Sequence, residues 1–289
     1  MGKLIDAGKS PTYRLLVGIP MTGLLRSEWV IARYGQTLPA NWSHHEAVMW
    51  LDQYSPLRFS VADARNLTVG QAVTGGFEWL LFIDHDTILP PGALLRLNEY
   101  MLAGEPPIVG GLYFTKAEVS EPLVYRGRGN SYYKDWKMGD KIWVDGLGMG
   151  CTLIHTSILK VMWEESETYI CRGIPTKKVF ETPRGQDFNK EVNGWEMNTG
   201  TEDLFFLDRV IKENVLEKAG WPKYAKKKYP FLVDTGIFCT HIDWEGVQYP
   251  ANGEEKRFIK SGDEQRYGWR IGRNYGPYSG TYRLDKLCM

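Results

Sequence analysis

Asp84, His85 and Asp86 are the residues whose types and spacing most clearly suggest chemistry. They follow the uncharged run Trp79-Leu80-Leu81-Phe82-Ile83 and precede the turn sequence Leu89-Pro90-Pro91-Gly92. Such a run reads as a buried central strand, and strand alternation then predicts that Asp84 and Asp86 leave it on one side, with His85 on the other. Two carboxylates at the exit of a buried strand are costly unless a cation meets them. Mg²⁺ or Mn²⁺ suits such oxygens, above all when shared with a substrate's phosphates. The ligand crevice of an open α/β sheet lies beyond the carboxyl ends of its strands. The plainer alternative is that both carboxylates only cap the next helix and loop. A second acidic pair, Glu202-Asp203, opens a helical stretch after Gly200-Thr201. A carboxylate there can deprotonate a hydroxyl, although Thr201 as N-cap and acids in a first turn also suit a helix of any function.

The elements that must position these residues alternate through the first hundred positions. Arg14 to Ile19 reads as a short strand, Leu24 to Tyr34 as a helix, His44 to Tyr54 as a second helix and Leu57 to Ala62 as a second strand. Arg65 to Thr74 has helical spacing and Gly75-Gly76 ends it. After the central strand, Pro91 opens a helix over Gly92 to Ala103, and Pro106 to Leu112 is another strand. This order implies a parallel sheet with helices on both faces. The second half is less regular. Short strand-like pieces lie between Glu121 and Val144, a glycine-rich loop covers Gly146 to Gly150, and a strand and helix follow from Cys151 to Trp163. The polar stretch Arg184 to Gly200 reads as a mobile loop. Helical periodicity returns from Glu202 to Leu216, and Phe231 to Val233 and Ile237 to Thr240 read as short strands.

Composition limits the alternatives. The chain has 289 residues, 43% hydrophobic and 24% charged, with a formal net charge of zero, so nothing draws it globally towards nucleic acid or an anionic membrane. Its four cysteines are widely spaced and form no C-x-x-C, which speaks against a zinc knuckle or a disulfide framework. Charge at the N-terminus and the lack of a long apolar run lead us to expect a cytoplasmic protein without a transmembrane segment. The sequons at Asn41 and Asn66 then carry no meaning.

The motifs resemble a known family. Ala64-Arg65-Asn66, then a helix, then Leu80-Leu81-Phe82-Ile83-Asp84-His85-Asp86 is similar to the family-2-type nucleotide-sugar glycosyltransferases of the GT-A fold. Three further pieces fall in the family's order. Gly18-Ile19-Pro20 resembles the strand end before its first nucleotide-binding loop. Gly148-Met149-Gly150-Cys151 resembles the small-residue loop beside donor and acceptor, and Gly200-Thr201-Glu202-Asp203 the acidic motif that supplies the base. His241 lies where many such enzymes place a further metal ligand; a buried histidine bonded to Asp243 is the plainer reading. The resemblance spans about residues 14 to 243 and implies an α/β GT-A architecture, with a mixed, mostly parallel central sheet flanked by helices. It implies a catalytic domain over 1–253, followed over 254–289 by an irregular basic-aromatic extension that packs on or covers the site. It also implies a UDP- or GDP-linked sugar donor, held by Pro20, Asp63, Arg65, Asp84 and Gly148. Mn²⁺ or Mg²⁺ would sit on Asp84, Asp86 and His241, and Asp203 with Glu202 would be catalytic. The acceptor would be a glycan, a lipid-linked or another hydroxyl, a nucleic acid being the weaker alternative. Two departures leave the base of the nucleotide open: Ser60-Val61-Ala62-Asp63 offers only Asp63 where the family has a paired Asp, and the first loop lacks the usual Tyr-Asn.

The chemistry also follows without the family. Transfer from a nucleotide sugar breaks an anomeric C–O bond and releases a diphosphate, whose developing charge a metal stabilises. Asp86, nearer the turn, is the better direct ligand, with Asp84 left to a ribose or a metal-bound water. A carboxylate base favours inversion. Trp143 and Trp195 are candidate sugar-stacking residues, though lone tryptophans are commonly core; Lys226-Lys227-Lys228 reads as a solvated face. The tail interleaves Arg257, Lys260, Arg266 and Arg270 with Tyr267 and Trp269, which suits a strap across the domain or, with the stretch 184–200, a lid over the donor. Two other functions compete. A sugar-nucleotide nucleotidyltransferase would want a glycine- and arginine-rich first loop, which Met21 to Arg26 matches poorly. A non-catalytic nucleotide- or carbohydrate-binding module would bind donor and turn over none.

Overall fold

A computed structural model describes residues 12–39, 42, 48–127, 132–189, 194–251 and 254–263. The chain begins with β1 (Thr12–Gly18), α1 (Ser27–Tyr34), β2 (Val48–Tyr54), α2 (Val61–Thr74) and β3 (Trp79–Ile83). It continues through β4 (Thr87–Ile88), α3 (Ala93–Ala103), β5 (Ile108–Leu112), β6 (Val124–Tyr125), β7 (Lys141–Val144) and β8 (Gly146–Leu147). Next come β9 (Cys151–His155), α4 (Thr156–Glu165), β10 (Thr168–Cys171), β11 (Ile174–Lys177), β12 (Arg184–Asn189) and β13 (Gly194–Thr199). The last elements are α5 (Glu202–Lys212), α6 (Val215–Lys218), α7 (Pro222–Ala225), β14 (Phe231–Phe238), β15 (Thr240–Ile242), β16 (Gln248–Tyr249) and a short 3₁₀ turn over Glu254–Phe258.

Among the described residues, seven strands form the central sheet in the order β2-β1-β3-β9-β5-β14-β7. β1 pairs in parallel with β2 and β3, and β5 with β14; β9 is inserted antiparallel between β3 and β5, and β7 closes the edge antiparallel to β14. Five strands therefore run one way, which makes the sheet mixed but mostly parallel. Alternation along β3 explains the two helical layers. Leu80 and Phe82 face one core, with Val69 of α2, Ile158 and Leu159 of α4 and Phe206 of α5. Trp79, Leu81 and Ile83 face the other, with Trp29 of α1 and Leu94 and Leu97 of α3. Because β3 is covered on both faces, every one of its side chains is apolar. Its first available polar position is therefore Asp84, at the carboxyl edge.

Several sequence expectations need correction. Residues 48–54 form the edge strand β2 rather than a helix, because pairing with β1 overrides local spacing; residues 43–47 lie outside the described residues. No strand covers 57–62. Instead Ser60 caps α2, its Oγ accepting from Asp63 N at 3.2 Å, so Ser60-Val61-Ala62-Asp63 is a helix start. The stretch 184–200 is not an irregular loop but the antiparallel hairpin β12–β13, with Arg184 opposite Thr199. The two short strands expected near 231 and 237 are one strand, β14, with an irregular register between Asp234 and Phe238. There the buried Asp234 carboxylate accepts from Arg96, Tyr100 Oη and Gly236 N at 2.8–3.2 Å. The start of the C-terminal extension is anchored. Phe258 stacks on Trp136 at 4.3 Å and lies against Phe114 and Phe238, and its carbonyl accepts from Met138 N at 2.7 Å. Residues 264–289, with most of the basic-aromatic tail, lie outside the described residues. No described helix is long and apolar enough to cross a membrane. Cys151, Cys171 and Cys239 are buried.

Candidate active site

β3 stops at Ile83, and Asp84 to Asp86 form a turn instead of continuing the strand. The Asp84 carbonyl accepts from Thr87 N at 3.0 Å and from Trp29 Nε1 at 2.8 Å, while Asp84 N donates to Gly150 O at 3.0 Å. Each of the two carboxylates meets its own partners.

Asp84 belongs to a buried ionic cluster. Arg65, only 2% exposed, donates from Nη2 to Asp84 Oδ2 at 2.9 Å and from Nε to Glu202 Oε1 at 3.2 Å. Its guanidinium also lies 5.0 Å from the centre of the Phe82 ring. Glu202 arrives there because α5 buries one stripe, Glu202-Phe206-Val210, at i, i+4, i+8; Phe206 stacks on Phe180 at 4.3 Å, and Phe180 meets Phe82 edge-on. Burial alone would weaken the hold of Arg65 on its proton, but Asp84 and Glu202 outweigh it and raise its pKa above the ordinary value. Asp203 shifts upward as well. Burial and the Glu202 charge favour its neutral form over the opposing hydrogen bond from Thr201 and the charge of Arg65. Arg65 Nη1 and Asp84 Oδ1 are buried without a hydrogen-bond partner among the described residues, so the cluster has polar capacity left for a ligand or water.

Asp86 belongs to a second group. β15 pairs antiparallel with β4, placing His241 opposite Thr87, and Ile242 N donates to Asp86 O at 2.8 Å. His241 Nδ1 is 2.7 Å from the Phe114 carbonyl. A carbonyl only accepts, so Nδ1 carries a proton and Nε2 faces Asp86 Oδ2 at 3.4 Å. Lys116 Nζ is 2.5 Å from the same oxygen. Burial would raise the Asp86 pKa, but His241 and Lys116 together hold it well below the usual carboxylate range. Tyr113 lies between the two groups. It meets His241 edge-on at 5.3 Å, and its pKa is raised by burial and by the charges of Asp84 and Asp203.

The remaining candidates divide. A Cβ on Gly148 would come within 2.2 Å of Tyr113 Oη, and one on Gly150 within 2.6 Å of Thr87 Oγ1. Gly150 N also donates to Tyr113 Oη at 2.8 Å. Gly148 is therefore required by close packing under the site, and Gly148→Ala should cost roughly 1–3 kcal/mol, the usual scale for an overpacked core, measured by urea unfolding. Unchanged stability would refute that assignment. Pro20 is held at the site's edge, its carbonyl 3.2 Å from His85 Nδ1, while His85 Nε2 is 3.4 Å from Thr22 Oγ1. His85 thus braces the first loop. Asp63 has both oxygens engaged, by Ser60 Oγ at 2.7 Å and Tyr169 Oη at 2.6 Å. Asn66 clamps Phe180 through N–H and C=O at 2.7 and 2.9 Å. Trp143 lies against Tyr224, with Lys227 Nζ 3.3 Å from its ring centre, and this packing accounts for both. Trp195 has no described side chain. Lys116 and Tyr113 were missed from sequence, because no spacing ties the loop after β5 to Asp86.

Among the described residues no three His, Cys, Asp or Glu side chains converge on one point. Asp84 is committed to Arg65, whereas Asp86 and His241 form a carboxylate–imidazole pair whose Nδ1–H···O=C bond is the usual brace of a ligating histidine. Two protein ligands suit a Mg²⁺-type ion that takes its other oxygens from phosphate and water.

No family model matches the sequence, and no curated protein matches it. Among solved structures, A197 from STIV is 16% identical with a TM-score of 0.45, covering 81% of this chain and 90% of its own. S. aureus TarS 1–349 in complex with UDP is 13% identical at a TM-score of 0.32, covering 51% of this chain and 48% of its own. A glycosyltransferase involved in the glycosylation of the major capsid of PBCV-1 is 17% identical at 0.26, covering 53% and 66%.

Proposed function

We propose that this chain is a glycosyltransferase that moves a sugar from a nucleoside-diphosphate donor to a hydroxyl acceptor, with inversion. The observation that carries this reading is that two unlike acidic groups lie on either side of Tyr113 near the carboxyl edge of the sheet. One is the Asp86–His241 pair; the other is Asp203, a carboxylate whose pKa is raised beside the Arg65–Asp84–Glu202 cluster. Asp86 and His241 would hold Mn²⁺ or Mg²⁺, which when bound supplies Lewis-acid stabilisation of the departing diphosphate. Asp203 would take the proton of the acceptor hydroxyl, and its raised pKa moves it towards the neutral range where a general base works best. Arg65 fixes Asp84, and Asp84 presents its unpartnered Oδ1 to a donor hydroxyl or to water. Pro20 and Gly148 then line the donor's surroundings through backbone and packing. UDP- and GDP-linked sugars are the donors to test first. The β12–β13 hairpin, which ends just before Asp203, is a candidate lid together with the C-terminal extension.

The test is ligand-induced stabilisation, since a ligand of the folded state raises Tm. UDP, GDP, CDP and dTDP conjugates should stabilise the protein more with Mn²⁺ than with chelator, and Asp86→Ala and His241→Ala should each abolish the difference without unfolding the protein. Equal shifts with and without chelator would remove the metal from the reading.

A further inference from the structure

Asp86 Oδ2 faces two nitrogens, of which the Lys116 ammonium is the hydrogen-bond donor. Lys116 Nζ sits at 2.5 Å and His241 Nε2 at 3.4 Å. A divalent ion on this oxygen would stand close to the ammonium, where like charges repel strongly in a partly buried site. The ion and Lys116 therefore compete for Asp86.

The two competitors differ in mobility. His241 is locked by Phe114 O and by its place in β15. Lys116 has a flexible four-carbon stem, its side chain is 31% exposed, and it begins the exposed segment 116–119. The root of that segment is fixed. Thr115 N donates to Glu121 O at 2.8 Å, Glu121 N donates to Thr115 Oγ1 at 3.0 Å, and Phe114 bridges to Pro122. A displaced Lys116 thus stays tethered at Thr115, and its ammonium stays within a side chain's reach of Asp86. Phosphate oxygens that share an ion with Asp86 fall within that radius.

Resting on the glycosyltransferase reading, we propose that Lys116 is a diphosphate-binding residue that is stored on Asp86 and handed to the donor when the divalent cation takes its place. The resting site is then charge-balanced without metal, and metal and donor load together. Metal alone must expel Lys116 with nothing to receive it, whereas metal with a diphosphate transfers it to a new anion.

This predicts effects of opposite sign from one substitution. In Lys116→Met, Mn²⁺ alone, followed by electron paramagnetic resonance, should bind roughly ten- to a hundred-fold more tightly, the scale of one charge-assisted hydrogen bond. UDP or GDP at saturating Mn²⁺, followed by calorimetry, should bind weaker by a similar factor. Lys116→Arg should keep the nucleotide affinity nearer to wild type, and Lys116→Gln repeats the test should the Met variant fold poorly. Unchanged Mn²⁺ affinity, or both affinities moving in the same direction, would overturn the handover. If folded wild type and Lys116→Met both bind neither Mn²⁺ nor any nucleoside diphosphate, the donor-site reading itself fails and the proposal falls with it.

Discussion

Asp203→Asn should lower turnover by roughly 10²–10⁴, the usual scale of general acid–base catalysis, while donor affinity stays close to wild type. The substitution keeps the shape of the side chain and its bond to Leu204 N, 2.8 Å from Oδ1, but removes the site for the acceptor proton. Two further signatures separate a base from a helix start. First, burial and the Glu202 charge raise the Asp203 pKa, so the acid limb of kcat should lie above the ordinary aspartate value of about 3.9. Glu202→Gln should move that limb down, since it removes the neighbouring negative charge. Second, a carboxylate whose folded pKa is raised contributes stability below its unfolded pKa and loses it as pH rises through the folded value. At neutral pH the wild type therefore bears the cost of ionising Asp203, and the Asn variant should melt no lower. Retention of most turnover, or a loss explained by unfolding, would reduce Glu202-Asp203 to a helix start.

What could be read from the sequence follows physical rules with local reach. β3 was legible because burial on both faces forces five consecutive apolar residues, and the start of α5 because its acids and its 202-206-210 stripe are local signals. β2 and the β12–β13 hairpin were not. Their strand state comes from partners far off in sequence or from self-pairing, which outweighs weak local propensity. The candidate site divides in the same way. The positions of Asp84, Asp86, Asp203 and His241 were marked by their neighbours in sequence, but the two aspartates meet different partners. Which charge meets each one is decided by α2, by the loop after β5 and by β15. Arg65 stood inside a recognisable motif without any sign that it would bridge Asp84 to Glu202, a residue 137 positions later. Lys116 carried no local signal at all.

Arg65→Met should cost roughly 3–5 kcal/mol of stability at neutral pH, the range for removing one partner of a buried ion pair. The methionine fills much of the same space against Phe82, but Asp84 and Glu202 lose their counter-charge, and Asp203 loses an opposing cation nearby. The sign of the pH dependence follows. Arg65 opposes the upward shift of Asp203, so without it that carboxyl holds its proton still more tightly in the folded state. The variant should therefore regain stability as pH falls through the raised Asp203 value, while the wild type gains less. Arg65→Lys should rescue only part of the loss, because one compact ammonium cannot reproduce the fork that reaches two carboxylates from Nη2 and Nε. Adding Asp84→Asn or Glu202→Gln to Arg65→Met should recover stability, a coupling that a simple packing defect would not produce. Urea unfolding at pH 5 and 7.5 would measure all of this. A loss below about 1 kcal/mol, equal at both pH values, would mean that water or a neighbour already neutralises the cluster. Arg65 would then be a packing residue of α2 and not the cation that holds the donor-side and base-side carboxylates together.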